Sequence, residues 1–97
     1  MPRNFLVPEA RKDLTEVLEY IAGDSVEAAL RVHDRFIEIF ELLAANPDAG
    51  HFRADLTTRP VRFFPVYPYL VVYSADTRPL EIVCVLGGAQ DVESILK

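Results

Sequence analysis

Four arginines, Arg53, Arg59, Arg62 and Arg78, fall in one stretch of the chain with Tyr67, Tyr69 and Tyr73 interleaved. Guanidinium forks bind phosphate or carboxylate through paired N–H donors, and tyrosine rings stack on bases, so this stretch has the chemistry of a binding face. Arg53 has a second use, as an ion-pair partner for a helix carboxylate that would latch helices to sheet. Arg59 and Arg62 follow a turn and are expected to point outward. The remaining reactive side chains offer less. Cys84, the single cysteine, lies in an apolar run and is expected to be an inert packed thiol. His33 falls on the apolar face of a helix, where a partly buried, hydrogen-bonded core histidine is expected, and His51 is the free imidazole, in a loop. Two isolated histidines and one cysteine reproduce no zinc spacing, and Gly87-Gly88 lacks the further glycine and lysine of a phosphate loop. Neither a metal nor a cofactor is expected, and no catalytic residue is assigned.

Charge divides the chain. The 97 residues carry a formal charge of −5. Residues 1–48 hold ten acidic against five basic residues, 49–78 hold two against four, and 79–97 hold three against one. The overall sign opposes attraction to nucleic acid or an anionic membrane, both polyanions, so no direct specific DNA binding is expected. No apolar run approaches the roughly 20 residues that span a bilayer. The opening MPRNFLVPEAR lacks the apolar core of a signal peptide, and a cytoplasmic location is expected. With 51% hydrophobic and 26% charged residues, the chain reads as a single globular domain over 1–97.

The elements that position these residues follow from periodicity. RNFLV is a short apolar run that could be a strand, and Pro8 suits the first turn of a helix because its missing N–H would go unbonded there. Ala10, Leu14, Val17, Leu18 and Ile21 recur at three and four, one face of an amphipathic helix that Gly23 is expected to end in a left-handed cap. Asp24 with Glu27 has the capping-box pattern, with Ser25 as the rival cap. A second helix follows from about Val26 to Ala45, its apolar face formed by Ala29, His33, Phe36, Ile37, Phe40, Leu43 and Ala44, and Asn46-Pro47 stops it. Beyond Pro47 the period changes. PVRFFPV, YPYLVVYSA and LEIVCVL have strand length and composition, separated by a Tyr-Pro turn and DTRP. Continuous runs such as Leu70-Val71-Val72 suit inner strands, while Pro60 and Pro65 suit an edge or a bulge. The expected fold is α+β: an N-terminal strand, an antiparallel helical hairpin packed on a three-stranded antiparallel meander, and a short C-terminal helix in DVESILK.

The ordered string Ala10, Asp13, Leu14, Leu18, Tyr20, Ile21, then NPDAGHFRADL, Arg62, YPYLVVY and VCVLGGAQD, resembles the RelE/ParE superfamily of toxins from type II toxin–antitoxin operons, the plasmid stabilisation proteins. The resemblance covers nearly the whole chain and implies the same fold, a bacterial source and a cognate antitoxin that masks the toxin. It also implies one of two activities. RelE-like members cut messenger RNA in the ribosomal A site, which needs a base for the 2′-hydroxyl, cations for the phosphate and an acid for the leaving oxygen. ParE-like members inhibit DNA gyrase as protein-binding poisons. Where many members read VLHGARD, Gly87 and Gln90 replace the histidine and arginine here, and Lys97 is the only basic residue after position 79. These departures favour the ParE-like branch, with a RelE-like endoribonuclease and an attenuated toxin that only binds its antitoxin as the alternatives. The target-facing candidates are Arg53, Arg59, Arg62, Tyr73 and Gln90. The antitoxin-facing candidates are Asp13, Glu16, Tyr20, Phe63 and Val71.

Overall fold

The computed structural model describes residues 3–87, 95 and 96. Gln90 lies outside the described residues, as does the expected C-terminal helix except at Ile95 and Leu96. Strand β1 (Asn4–Leu6) leads directly into helix α1 (Pro8–Ala22), with Pro8 in the first turn as its chemistry favours. Gly23 follows with φ −60° and ψ −27°, so it ends the helix in a right-handed and not the expected left-handed conformation. Helix α2 (Val26–Ala45) starts where expected, but the rival cap prevails: the Ser25 hydroxyl accepts the Ala28 N–H at 3.1 Å. A single 3-10 turn, Pro47–Ala49, closes the helical half.

Strands β2 (Arg62–Val66), β3 (Tyr69–Ser74) and β4 (Leu80–Gly87) form the expected antiparallel meander. The N-terminal strand completes it: β1 pairs in parallel with β4, giving a mixed sheet in the order β1-β4-β3-β2. The apolar runs of β3 and β4 accordingly sit inside, and Pro65 sits on the edge strand β2, where a missing N–H removes no ladder bond.

One irregularity decides which β4 residues face which side. Tyr73 pairs with Ile82 and Val72 with Cys84, so Val83 is an extra residue without a partner, a β-bulge. The bulge switches parity along β4. Leu80, Ile82 and then Val85 join Val71 and Tyr73 against the hairpin residues Ala10, Leu14, Phe36, Ile39, Phe40 and Leu43. Cys84 and Leu86 join Val61, Phe63, Val72 and Leu96 in a second cluster on the opposite face. The α2 face is rotated slightly from the expected one: Ile39 is buried, whereas Ile37 is exposed. His33 is exposed as well and contacts the Asp34 carboxylate at 3.3 Å, so it is a surface residue and not a core histidine.

Candidate functional site

The basic stretch is organised around a strap that fastens residues 47–51 to the sheet. The Tyr73 side chain is fully buried. Its hydroxyl donates to the Pro47 carbonyl at 2.7 Å and accepts the Gly50 N–H at 2.7 Å. Gly50 is required at this joint, because a Cβ there would lie 2.6 Å from the Tyr73 hydroxyl and 2.8 Å from the Phe63 carbonyl oxygen. Next to it, His51 and Phe63 exchange both backbone hydrogen bonds, at 2.8 and 2.9 Å. The strap thus adds one rung of ladder to the outer edge of β2.

Arg62, opposite Tyr73 in the sheet register, is the second fastener. Its Nη1 donates to the Gly50 carbonyl at 2.9 Å, and Nη2 lies 3.4 Å from a carboxylate oxygen of Asp48. The guanidinium carbon sits 4.2 Å from the centre of the Phe52 ring, a cation–π contact. The expectation that Arg62 points freely outward is therefore corrected, since its side chain is only 21% exposed. The latch role expected of Arg53 belongs to Arg62. Arg53 instead forms a bidentate pair with Asp55 in its own loop, at 2.8 and 3.0 Å, and touches no helix carboxylate. That hydrogen bond, with the charge of Asp55, raises the Arg53 pKa, and the same bond from the Arg53 guanidinium lowers that of Asp55.

The other sequence candidates divide by accessibility. Arg59 is exposed. Tyr73 has no outward surface, and burial raises its pKa, so it serves the interior and not a target-facing surface. Phe63 and Val71 are likewise core residues, one on each face of the sheet, and the expectation that they face an antitoxin is corrected. Asp13 turns inward: its Oδ2 accepts the Val85 N–H of β4 at 3.1 Å, beyond the end of β1, and burial raises its pKa despite that bond. Glu16 and Tyr20 remain on the surface, and Glu16 helps line a groove of about 690 Å³ between β1 and α1 with Phe5, Leu6, Lys12 and Glu19. Cys84 is buried, and its pKa is pushed up to about 12 by burial and then by the charge of Asp13, the state of an unreactive packed thiol.

Sequence reasoning missed Phe52 and Asp48, which complete the Arg62 environment. Phe52 is 60% exposed, and its place in the polar loop HFRAD was the one signal that could have singled it out. Among the described residues no cluster of three His, Cys, Asp or Glu side chains could hold a metal ion, and no helix is long and apolar enough to cross a membrane.

A helical hairpin on one face of a mixed four-stranded sheet, with a strap that Tyr73 and Arg62 fasten to its edge strand, is an α+β fold of the RelE/ParE type. The family model for the ParE toxin of the type II toxin–antitoxin system parDE matches residues 5–92, and the chain belongs to that family. No individually curated relative matches it in sequence. Membership in a type II system implies an antitoxin protein as partner.

Proposed function

We propose that this toxin is a ParE-like inhibitor of DNA gyrase in the bacterial cytoplasm, neutralised by its cognate antitoxin, and that it acts by binding protein and not by cutting RNA. The observation that carries this reading is the state of Tyr73. Cleavage of RNA needs a group that takes a proton from the 2′-hydroxyl and one that returns a proton to the leaving oxygen. The tyrosine paired with Arg62 is enclosed, its hydroxyl is spent on Pro47 and Gly50, and burial holds its proton more firmly. It supplies neither group. The acidic balance of the chain also opposes docking on ribosomal RNA. Glu16 and Tyr20, with the groove beside β1, are the surface proposed for the antitoxin.

The pairing of Arg53 with Asp55 and of Arg62 with Asp48 favours a second reading, an attenuated toxin that only binds its antitoxin. One experiment separates the readings: supercoiling by purified gyrase with added toxin, with and without the product of the adjacent small gene, beside an A-site cleavage assay. Inhibited supercoiling that the antitoxin restores, with messenger RNA intact, is the expected result. Codon-specific cuts that vanish in Arg62→Ala would replace it with the RelE-like reading. A stable antitoxin complex with neither activity would establish the attenuated form.

A further inference from the structure

The two donors along one edge of the Arg62 guanidinium are poorly used. Nε is buried and has no hydrogen-bond partner, and Nη2 has only the 3.4 Å contact with Asp48, whose side chain is 92% exposed. The Nε–Nη2 edge is the geometry in which arginine grips a carboxylate with two parallel hydrogen bonds. A buried N–H left unbonded is costly, and native proteins pair the large majority of their buried side-chain polar atoms. Arg62 therefore holds unspent binding capacity at a fixed place, since Nη1 is anchored to the Gly50 carbonyl. The aromatic ring under the guanidinium carbon belongs to Phe52, an exposed loop residue outside both core clusters.

We infer that Arg62 and Phe52 form a docking site for a carboxylate side chain on the toxin's protein target, with Asp48 as an internal stand-in for that carboxylate and Phe52 as an apolar wall beside it. On docking, the target carboxylate displaces Asp48 and takes both Nε–H and Nη2–H. Phe52, held under the guanidinium, packs on apolar surface beside the incoming acid, the anchoring role that aromatic residues fill at interface centres. Charge supports a protein acid over a nucleic-acid phosphate. The site lies in the one segment of the chain with net positive charge, which suits a single carboxylate, while the −5 of the whole molecule repels a polyanion. The inference rests on reading the chain as a protein-directed toxin, and it is tested apart from the choice of gyrase.

The test follows the Arg62 Nε–H resonance by NMR in the full chain. The probes are a capped tetrapeptide carrying aspartate and glutamate between two leucines, its asparagine–glutamine counterpart, and a short RNA oligonucleotide. The acidic peptide should shift the resonance and the amide peptide should not. Asp48→Asn should tighten peptide binding by about two- to five-fold, the range of an exposed ion pair removed from competition. Phe52→Ala should weaken it by at least about five-fold with its melting curve retained. A gain in Asp48→Asn cannot arise from misfolding. No shift in the wild type, an equal shift with the amide peptide, or a response to RNA alone would overturn the assignment. In a parallel supercoiling assay, inhibition that neither variant changes would overturn the site as a target contact and leave the gyrase reading standing. A carboxylate-specific shift with gyrase unaffected would do the reverse.

Discussion

Tyr73→Phe removes one oxygen atom and keeps the ring, so its effect isolates the joint between strap and sheet. The hydroxyl makes two short hydrogen bonds, each 2.7 Å, to the Gly50 N–H and the Pro47 carbonyl. Phenylalanine leaves both backbone groups without their partner. Stranding a buried donor or acceptor costs about 1 to 3 kcal/mol, and the Pro47 carbonyl, only partly buried, lies at the low end, so the pair should cost about 2 to 4 kcal/mol. For a domain of this size 1 kcal/mol is about 4 to 8 °C, so the melting temperature should fall on the order of 10 to 30 °C. Urea unfolding measures the same loss without extrapolating across temperature. A second signature comes from pH. Burial raises the Tyr73 pKa in the folded state, so its contribution to stability is full below the unfolded value, near 10, and is lost as pH rises through the folded value. The wild type should therefore lose stability in alkali more steeply than Tyr73→Phe does. Gly50→Ala attacks the same joint sterically and should destabilise as severely. A Tyr73→Phe protein with an unchanged urea midpoint, or an alkaline slope equal to that of the wild type, would refute this account of the strap.

Asp13→Ala should destabilise by about 1 to 3 kcal/mol because the Val85 N–H loses its acceptor, whereas Asp13→Asn keeps an acceptor, sheds a partly buried charge and should be at least as stable as wild type at pH 7. Because the folded pKa of Asp13 is raised, wild type should gain on Asp13→Asn as pH falls through that value, which paired urea titrations at neutral and acid pH would reveal. Arg53→Ala should leave the melting curve unchanged, since its pair with Asp55 is confined to an exposed loop; a clear drop would return the latch role to Arg53.

The helices were legible because each has an uninterrupted apolar stripe at helical spacing and a hard stop, at Gly23 and at Asn46-Pro47. The smaller errors have physical causes. His33 sits at a spacing compatible with the buried stripe, but a small rotation of α2 gives the interior to Ile39 and leaves His33 beside Asp34. The bulge at Val83 was invisible because Ile82-Val83-Cys84-Val85 is apolar throughout, and a pattern without alternation carries no register. The latch was assigned to the wrong arginine for a related reason. Arg53 and Arg62 are the same residue type a few positions apart, and only strand pairing puts Arg62 opposite Tyr73. That an exposed phenylalanine would sit over Arg62 depends on how the strap closes, which no local spacing records.

The parallel pairing of β1 with β4 has a consequence for how the protein comes into being. Asn4 lies beside Leu80, so the first strand finds its place only against the last. Contacts this distant in sequence are slow to form, because the intervening chain must be closed into a loop before the contact gives anything back. A polypeptide emerging from the ribosome N-terminus first presents α1 and α2 with their apolar stripes uncovered until β3 and β4 arrive. Those stripes stay open to chaperones until the later strands close over them. The four-stranded sheet is complete only once β4 has left the ribosome, so this fold closes at the end of synthesis and not during it.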